Sequence, residues 1–122
     1  MRYIKSNRLM RILKRSEYLR VKRRGTSVAE SGLVIQAAPV ANSSSYLQPR
    51  VGFTVSKRVG NAVKRNRARR RLKSIASDIL PKEGFPDWDY VFIGRLVTLD
   101  RPYDLLLEDA RAALRKIHQK TI

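Results

Sequence analysis

The chain has 122 residues, room for one hydrophobic core but not a second. Its 27 Lys and Arg against 10 Asp and Glu leave a formal charge of +17, well beyond what solubility needs, so a polyanion is the expected partner: nucleic acid ahead of an anionic membrane surface. The absence of cysteine excludes disulfides and thiolate chemistry, and a lone histidine, His118, excludes histidine clusters and pairs.

Residues 1–24 carry ten basic side chains and one acid, Glu17, and begin as an expected basic, mostly extended arm over 1–13. Leu9, Met10, Ile12 and Leu13 are interrupted by Arg11 and followed by Lys14, which is not the pattern of a signal peptide. No apolar run approaches the roughly 20 residues of a membrane span, so no membrane partner is expected and the expected location is the cytoplasm. A short helix follows, with Ser16 as its expected N-cap, Tyr18, Leu19 and Val21 on its apolar side and Gly25 at its end. An aliphatic strand is expected at Leu33–Ala38, bounded by Gly32 and Pro39, and Ala41–Pro49 has the composition of a flexible connection.

Val51, Phe53 and Val55 alternate with Gly52, Thr54 and Ser56, the period of a half-buried strand. Beyond Gly60, Asn61 is placed to cap a long helix that Pro81 is expected to stop after Leu80. A strand over Tyr90–Val97 comes next, then Asp100 as a helix cap, Pro102 in a first turn, and a final helix striped by Leu106, Ala110, Ala113, Leu114 and Ile117. The expected fold is α+β: helix, strand, strand, long helix, strand, helix around a small mixed sheet, with an additional short strand possible. The expected single domain spans 14–119, with 120–122 as a tail.

Residues 57–73 hold nine basic side chains and no acid, whereas residues 74–122 are nearly balanced at seven basic and eight acidic. On the long helix, Ala68, Leu72, Ile75, Ala76 and Ile79 share one face. At 100° per residue Arg70 points away from that stripe, and Asn66, Arg67 and Lys73 flank it on the solvent side. Lys64 and Arg65 lie nearer the apolar side, in the first turn, where long stems still reach water. Cations in a first turn oppose the helix dipole, a cost that a nearby phosphate backbone would reverse.

The run Lys57-Arg58-Val59-Gly60-Asn61-Ala62-Val63-Lys64-Arg65-Asn66-Arg67, continuing Ala68-Arg69-Arg70-Arg71-Leu72-Lys73 and preceded by Val51-Gly52-Phe53-Thr54-Val55-Ser56, resembles the signature of the bacterial ribonuclease P protein component. The match is gapless here and extends more weakly over nearly the whole chain. The resemblance implies a compact two-layer α/β sandwich with a left-handed βαβ crossover, the ribosomal protein S5 domain 2-like fold. It also implies a function: a protein subunit that joins a catalytic RNA, in an expected 1:1 holoenzyme, to remove the 5′ leader of precursor tRNA.

By the same resemblance, Arg65, Asn66, Arg67, Arg69 and Arg70 match the part that contacts the catalytic RNA, and Lys57, Arg58, Asn61, Lys64 and Lys73 belong to the same block. Tyr18 matches an aromatic of a leader-binding cleft between first helix and sheet, with a place in the core as the alternative reading. Lys22 stands where relatives often have a second aromatic, and Gln36 where some have tyrosine, which shifts the expected binding from stacking toward charge and hydrogen bonding. Phe53 is open between core and cleft floor.

No protein active site is expected. Asp78, Glu83, Asp87, Asp89, Asp100, Asp104, Glu108 and Asp109 all lie outside the basic signature and read as caps, turns or surface charges, and His118 as solvated or C-capping. The resemblance assigns catalysis to RNA-bound Mg2+. Two alternatives stand beside it: a ribosomal-type structural RNA-binding protein or RNA chaperone, which shares the size and charge, and a protein-only nuclease, which would need clustered acids or a histidine pair.

Overall fold

The computed structural model describes residues 9–40 and 48–121. The greater part of the expected basic arm and of the serine-rich connection falls outside them.

Five strands form one mixed sheet in the order β1-β4-β5-β3-β2: β1 Met10–Arg11, β2 Thr26–Ala29, β3 Leu33–Pro39, β4 Arg50–Thr54 and β5 Trp88–Gly94. β4 lies parallel to both β1 and β5, and β3 is antiparallel to β5 and β2. Three helices complete the fold: α1 Arg15–Arg24, α2 Ala62–Glu83 and α3 Tyr103–Thr121. The parallel pair β4 and β5 is joined through α2, as a crossover connection requires.

Strand alternation sorts the sheet into two faces. Leu33, Ile35 and Ala37 of β3, Val51 of β4 and Tyr90 and Phe92 of β5 pack with Leu72, Ile75 and Ile79 of α2 and Leu106, Leu114 and Ile117 of α3 in the main core. Ala38 and Val91 face the other way and join Ile12 and Val21 in a smaller cluster under α1, with Tyr18 and Ile93 at its margin. Helix α1 packs on this second face through Val21 and Tyr18.

Several local expectations are corrected. The N-cap of α1 is Lys14, because the Glu17 carboxylate reaches back to accept the Lys14 backbone N–H at 3.2 Å; Ser16 lies inside the helix. Gly25 ends α1 in an extended conformation, and its lack of a side chain matters because the Ala37 backbone carbonyl crowds the site where a Cβ would stand. Met10–Arg11, expected in the arm, pairs with Arg50 and Val51. Pro81 does not stop α2, which runs on to Glu83. Pro81 and Ser77, whose carbonyl loses its helical donor, are both exposed, so water can take the place of the missing N–H. The last strand ends at Gly94, three residues early. Leu96–Leu99 coil into a 3-10 turn because the Thr98 hydroxyl accepts the Arg95 N–H at 2.8 Å and donates to the Gly32 carbonyl at 2.5 Å. Helix α3 continues through the expected tail to Thr121.

Candidate nucleic-acid interface

The signature is built as a turn, a hinge point and a helix. Lys57–Val59 form a 3-10 turn capped by Ser56, whose hydroxyl accepts the Arg58 N–H at 3.3 Å, and buried Val59 anchors the turn to the core. Gly60 follows at φ 145°, a conformation that side chains resist, and a Cβ there would stand 2.7 Å from Lys64 Cδ. Asn61 caps α2, its Oδ1 accepting the Lys64 N–H at 3.0 Å. Arg65 folds back to donate to the Gly60 carbonyl at 2.8 Å. The backbone that aims the basic block is thus held by the block's own residues.

Ala68, Leu72, Ile75, Ala76, Ile79 and Leu80 are buried, which fixes the rotation of α2. Lys57, Arg58, Lys64, Arg70 and Lys73 are exposed and make no ion pair among the described residues; Asn66 and Arg67 are exposed beside them. The nearest acid to the block is Asp100, 3.5 Å from Arg67 in a wide, solvent-exposed contact. Arg69 donates to Asn66 Oδ1 at 3.0 Å. Arg71 differs from its neighbours: it is half-buried and donates to the Arg101 carbonyl, so it ties α2 to the start of α3. The outward surface therefore carries an array of cations, set on a rigid helix, with almost no internal neutralisation.

The residues expected around a cleft separate by sheet face. Gln36 of β3, Val91 of β5 and Gly52 of β4 are register neighbours and form one row across the α1 side. Tyr18 is half-buried above this row, against Gly52, and Lys22 is exposed one helical turn later. Phe53 is on the opposite face. Its ring lies 6.0 Å from that of Phe92, and the Arg11 guanidinium stands 5.3 Å from the ring centre. Tyr18 and Gln36 thus share the α1 side of the sheet, with Lys22 exposed on α1, while Phe53 belongs to the margin of the main core.

Beneath α1 lies an ion network that sequence reading missed. Arg50 donates from Nε and Nη2 to the two carboxylate oxygens of Asp89, each at 2.7 Å, and from Nη1 to Glu17 at 3.0 Å. Arg20 donates to the same Asp89 at 2.7 Å and to the Pro39 carbonyl at 2.8 Å. Burial disfavours the Glu17 carboxylate, but hydrogen bonds from Arg50 and from the Lys14 backbone, with the Arg50 charge, outweigh it and hold the acid below its ordinary range. The Asp89 hydrogen bonds chiefly hold the Arg50 guanidinium charged. An arginine and an aspartate at opposing strand positions were the available signal, though the pairing of β4 with β5 had to be known first.

Asp89 and Asp109 are accordingly not the surface charges expected: Asp109 is buried and accepts the Gly32 N–H at 3.0 Å and Arg101 Nε at 2.6 Å. His118 is not simply solvated either. It stacks on Phe85 with ring centres 3.7 Å apart and shares a 2.8 Å hydrogen bond with the Tyr90 hydroxyl. Burial lowers its pKa, against a partial opposing effect of Glu83. Among the described residues no three His, Cys, Asp or Glu gather in a way that could hold a metal ion, and no helix is long and apolar enough to cross a membrane. What the surface offers chemically is phosphate neutralisation and hydrogen bonding.

A family model described as Ribonuclease P matches residues 7–118. The chain is 49% identical over 111 residues to the ribonuclease P protein component of Paramagnetospirillum magneticum, covering 90% of this chain and 84% of that one. It is 50% identical over 106 residues to that of Ruegeria pomeroyi, covering 86% and 83%. In fold it is similar to the RNase P proteins of Staphylococcus aureus, at a TM-score of 0.70 with 24% identity over 88% of this chain and 94% of that one, and of Thermotoga maritima, at 0.72 with 22% identity over 88% and 96%.

Proposed function

Because the chain belongs to the ribonuclease P protein family, and so is a protein component of that tRNA-processing enzyme, we propose that its α2 surface binds the enzyme's catalytic RNA and its α1 cleft binds the 5′ leader of precursor tRNA. The observation that carries this reading is the unneutralised cation array of the 57–73 block, held outward by the buried stripe of α2. An RNA backbone is the polyanion that such an array suits, since phosphate contacts on a rigid element both neutralise charge and set orientation. The relatives' shared name favours this reading over a structural RNA-binding protein or chaperone without a processing role.

The proposed division of labour rests on the family resemblance. The RNA subunit performs the endonucleolytic step, and Mg2+ bound mainly to that RNA supplies the charge stabilisation of phosphodiester hydrolysis. The protein screens repulsion between two RNAs and orients the leader through Tyr18, Lys22 and Gln36. It acts in a 1:1 holoenzyme in the cytoplasm. The test is reconstitution: the purified protein added to its cognate catalytic RNA at low Mg2+ should restore cleavage of precursor tRNA at the mature 5′ end. Failure to stimulate that RNA, or cleavage by the protein alone, would refute the reading.

A further inference from the structure

Gly52 lies on the α1 side of β4, in the middle of a strand where a glycine weakens pairing and leaves nothing to pack. Its φ is not in the left-handed region, so backbone conformation does not require it. What requires it is Tyr18. A Cβ built on Gly52 would stand 2.5 Å from Tyr18 Cζ and 2.6 Å from Cε1, with the hydroxyl oxygen nearer still. The missing side chain would therefore collide with the hydroxyl end of the ring. The phenol end of Tyr18 lies against the β4 backbone.

That contact has a consequence for binding. A ring whose hydroxyl end is seated against the sheet presents its remaining surface in a direction set by that contact. The ring is half-buried, so part of its surface remains open, and Gln36 sits two strands away in the same row while Lys22 stands one turn along α1. The ion network holds the helix in place: Glu17, the residue before Tyr18, is bonded to Arg50, two residues before Gly52. We infer that Gly52 is a positioning residue for nucleic-acid recognition: with no side chain of its own it lets the hydroxyl end of Tyr18 seat against the sheet, which sets how the open part of the ring meets an unpaired base. This inference rests on the reading that the α1 cleft takes the leader.

The experiment uses the holoenzyme, assembled from the full chain and its catalytic RNA, and measures affinity for precursor tRNA against mature tRNA. Tyr18→Ala tests the reading itself, and an unchanged precursor preference in that variant would overturn the cleft assignment. Gly52→Ala tests the positioning role. It should cut the precursor preference by a factor of roughly ten, in the range of one lost base–aromatic stack, with cleavage of bound substrate at saturation retained. Tyr18→Phe, which keeps the ring, should retain the preference. In the Tyr18→Ala background the ring is gone, so adding Gly52→Ala should change nothing further. A wild-type preference in Gly52→Ala, or equal and additive losses in the double variant, would overturn the inference while leaving the cleft reading intact. If Gly52→Ala alone fails to fold, recovery of folding in the double variant reads out the same opposition of side chains. A double variant that also fails would show that something other than Tyr18 occupies the space.

Discussion

Arg50 and Asp89 face each other across the parallel strands β4 and β5 and join through two nitrogen–oxygen contacts of 2.7 Å, with the Asp89 side chain fully buried. A carboxylate so placed must be paired, because an uncompensated buried charge is far more costly than the net gain from any one ion pair. Asp89 has two cations, Arg50 and Arg20, and Arg50 in turn holds Glu17. The network thereby ties α1 to the sheet.

Removing the shared carboxylate should therefore be severe. Asp89→Ala is expected to destabilise the fold by about 3–5 kcal/mol, read as a lower midpoint in urea unfolding. Arg50→Met paired with Asp89→Leu should lose less than Asp89→Ala alone, because the two most buried charges leave together and the partners left behind, Arg20 and Glu17, are partly exposed and can turn to water. A double variant as unstable as the single one would contradict this account.

The cations of α2 divide into structural and free ones. Arg70→Ala with Lys73→Ala should leave thermal stability unchanged, weaken binding to the catalytic RNA and reduce the slope of log affinity against log salt by about 1–2 units. Arg65→Ala with Arg67→Ala should weaken holoenzyme activity most at low Mg2+, and should also loosen the Gly60–Arg65 junction. Salt titrations and hydrogen exchange at the Lys57–Arg65 amides separate the two effects.

Asn61 offers a cleaner test of the scaffold. Asn61→Ala removes the oxygen that accepts the Lys64 N–H, at an expected cost of about 1 kcal/mol. Asn61→Asp should retain the cap in stability measurements and yet weaken RNA binding, because it adds a negative charge to the basic surface.

His118 makes stability depend on pH. Its pKa in the fold lies below the ordinary value of 6.5 because burial disfavours the cation, so the unfolded chain binds the proton first. Its contribution is fully present above pH 6.5 and is lost as pH falls through the lower native value. Melting temperature should therefore decline on the acid side of that window. In His118→Gln this part of the decline should disappear, while loss of the stack on Phe85 lowers the plateau. An unchanged pH profile in the variant would exclude His118 as the source.

Local regularities carried much of this protein into its sequence. The period of Ala68, Leu72, Ile75, Ala76 and Ile79 settled which way α2 faces, and so which cations point outward; the alternation of Val51, Phe53 and Val55 settled that β4 is a strand with one apolar side. Those patterns depend only on the geometry of one element and survive without knowledge of its neighbours. The block Lys57–Lys73 could thus be singled out as an outward-facing basic surface before any fold was known.

What no local period can encode is which distant residues meet. Phe53 alternates with Gly52 whether the cleft is above or below the sheet, and only the docking of α1 on the Gly52 side put Phe53 at the edge of the main core. Asp89 and Asp109 look like surface acids until strand pairing brings Arg50 beside one and the Gly32 N–H beside the other, across 39 and 77 residues of chain. His118 looks solvated until α3 lays it on Phe85. In each case the deciding energy is desolvation, which is set by tertiary packing around a group and not by its neighbours in sequence.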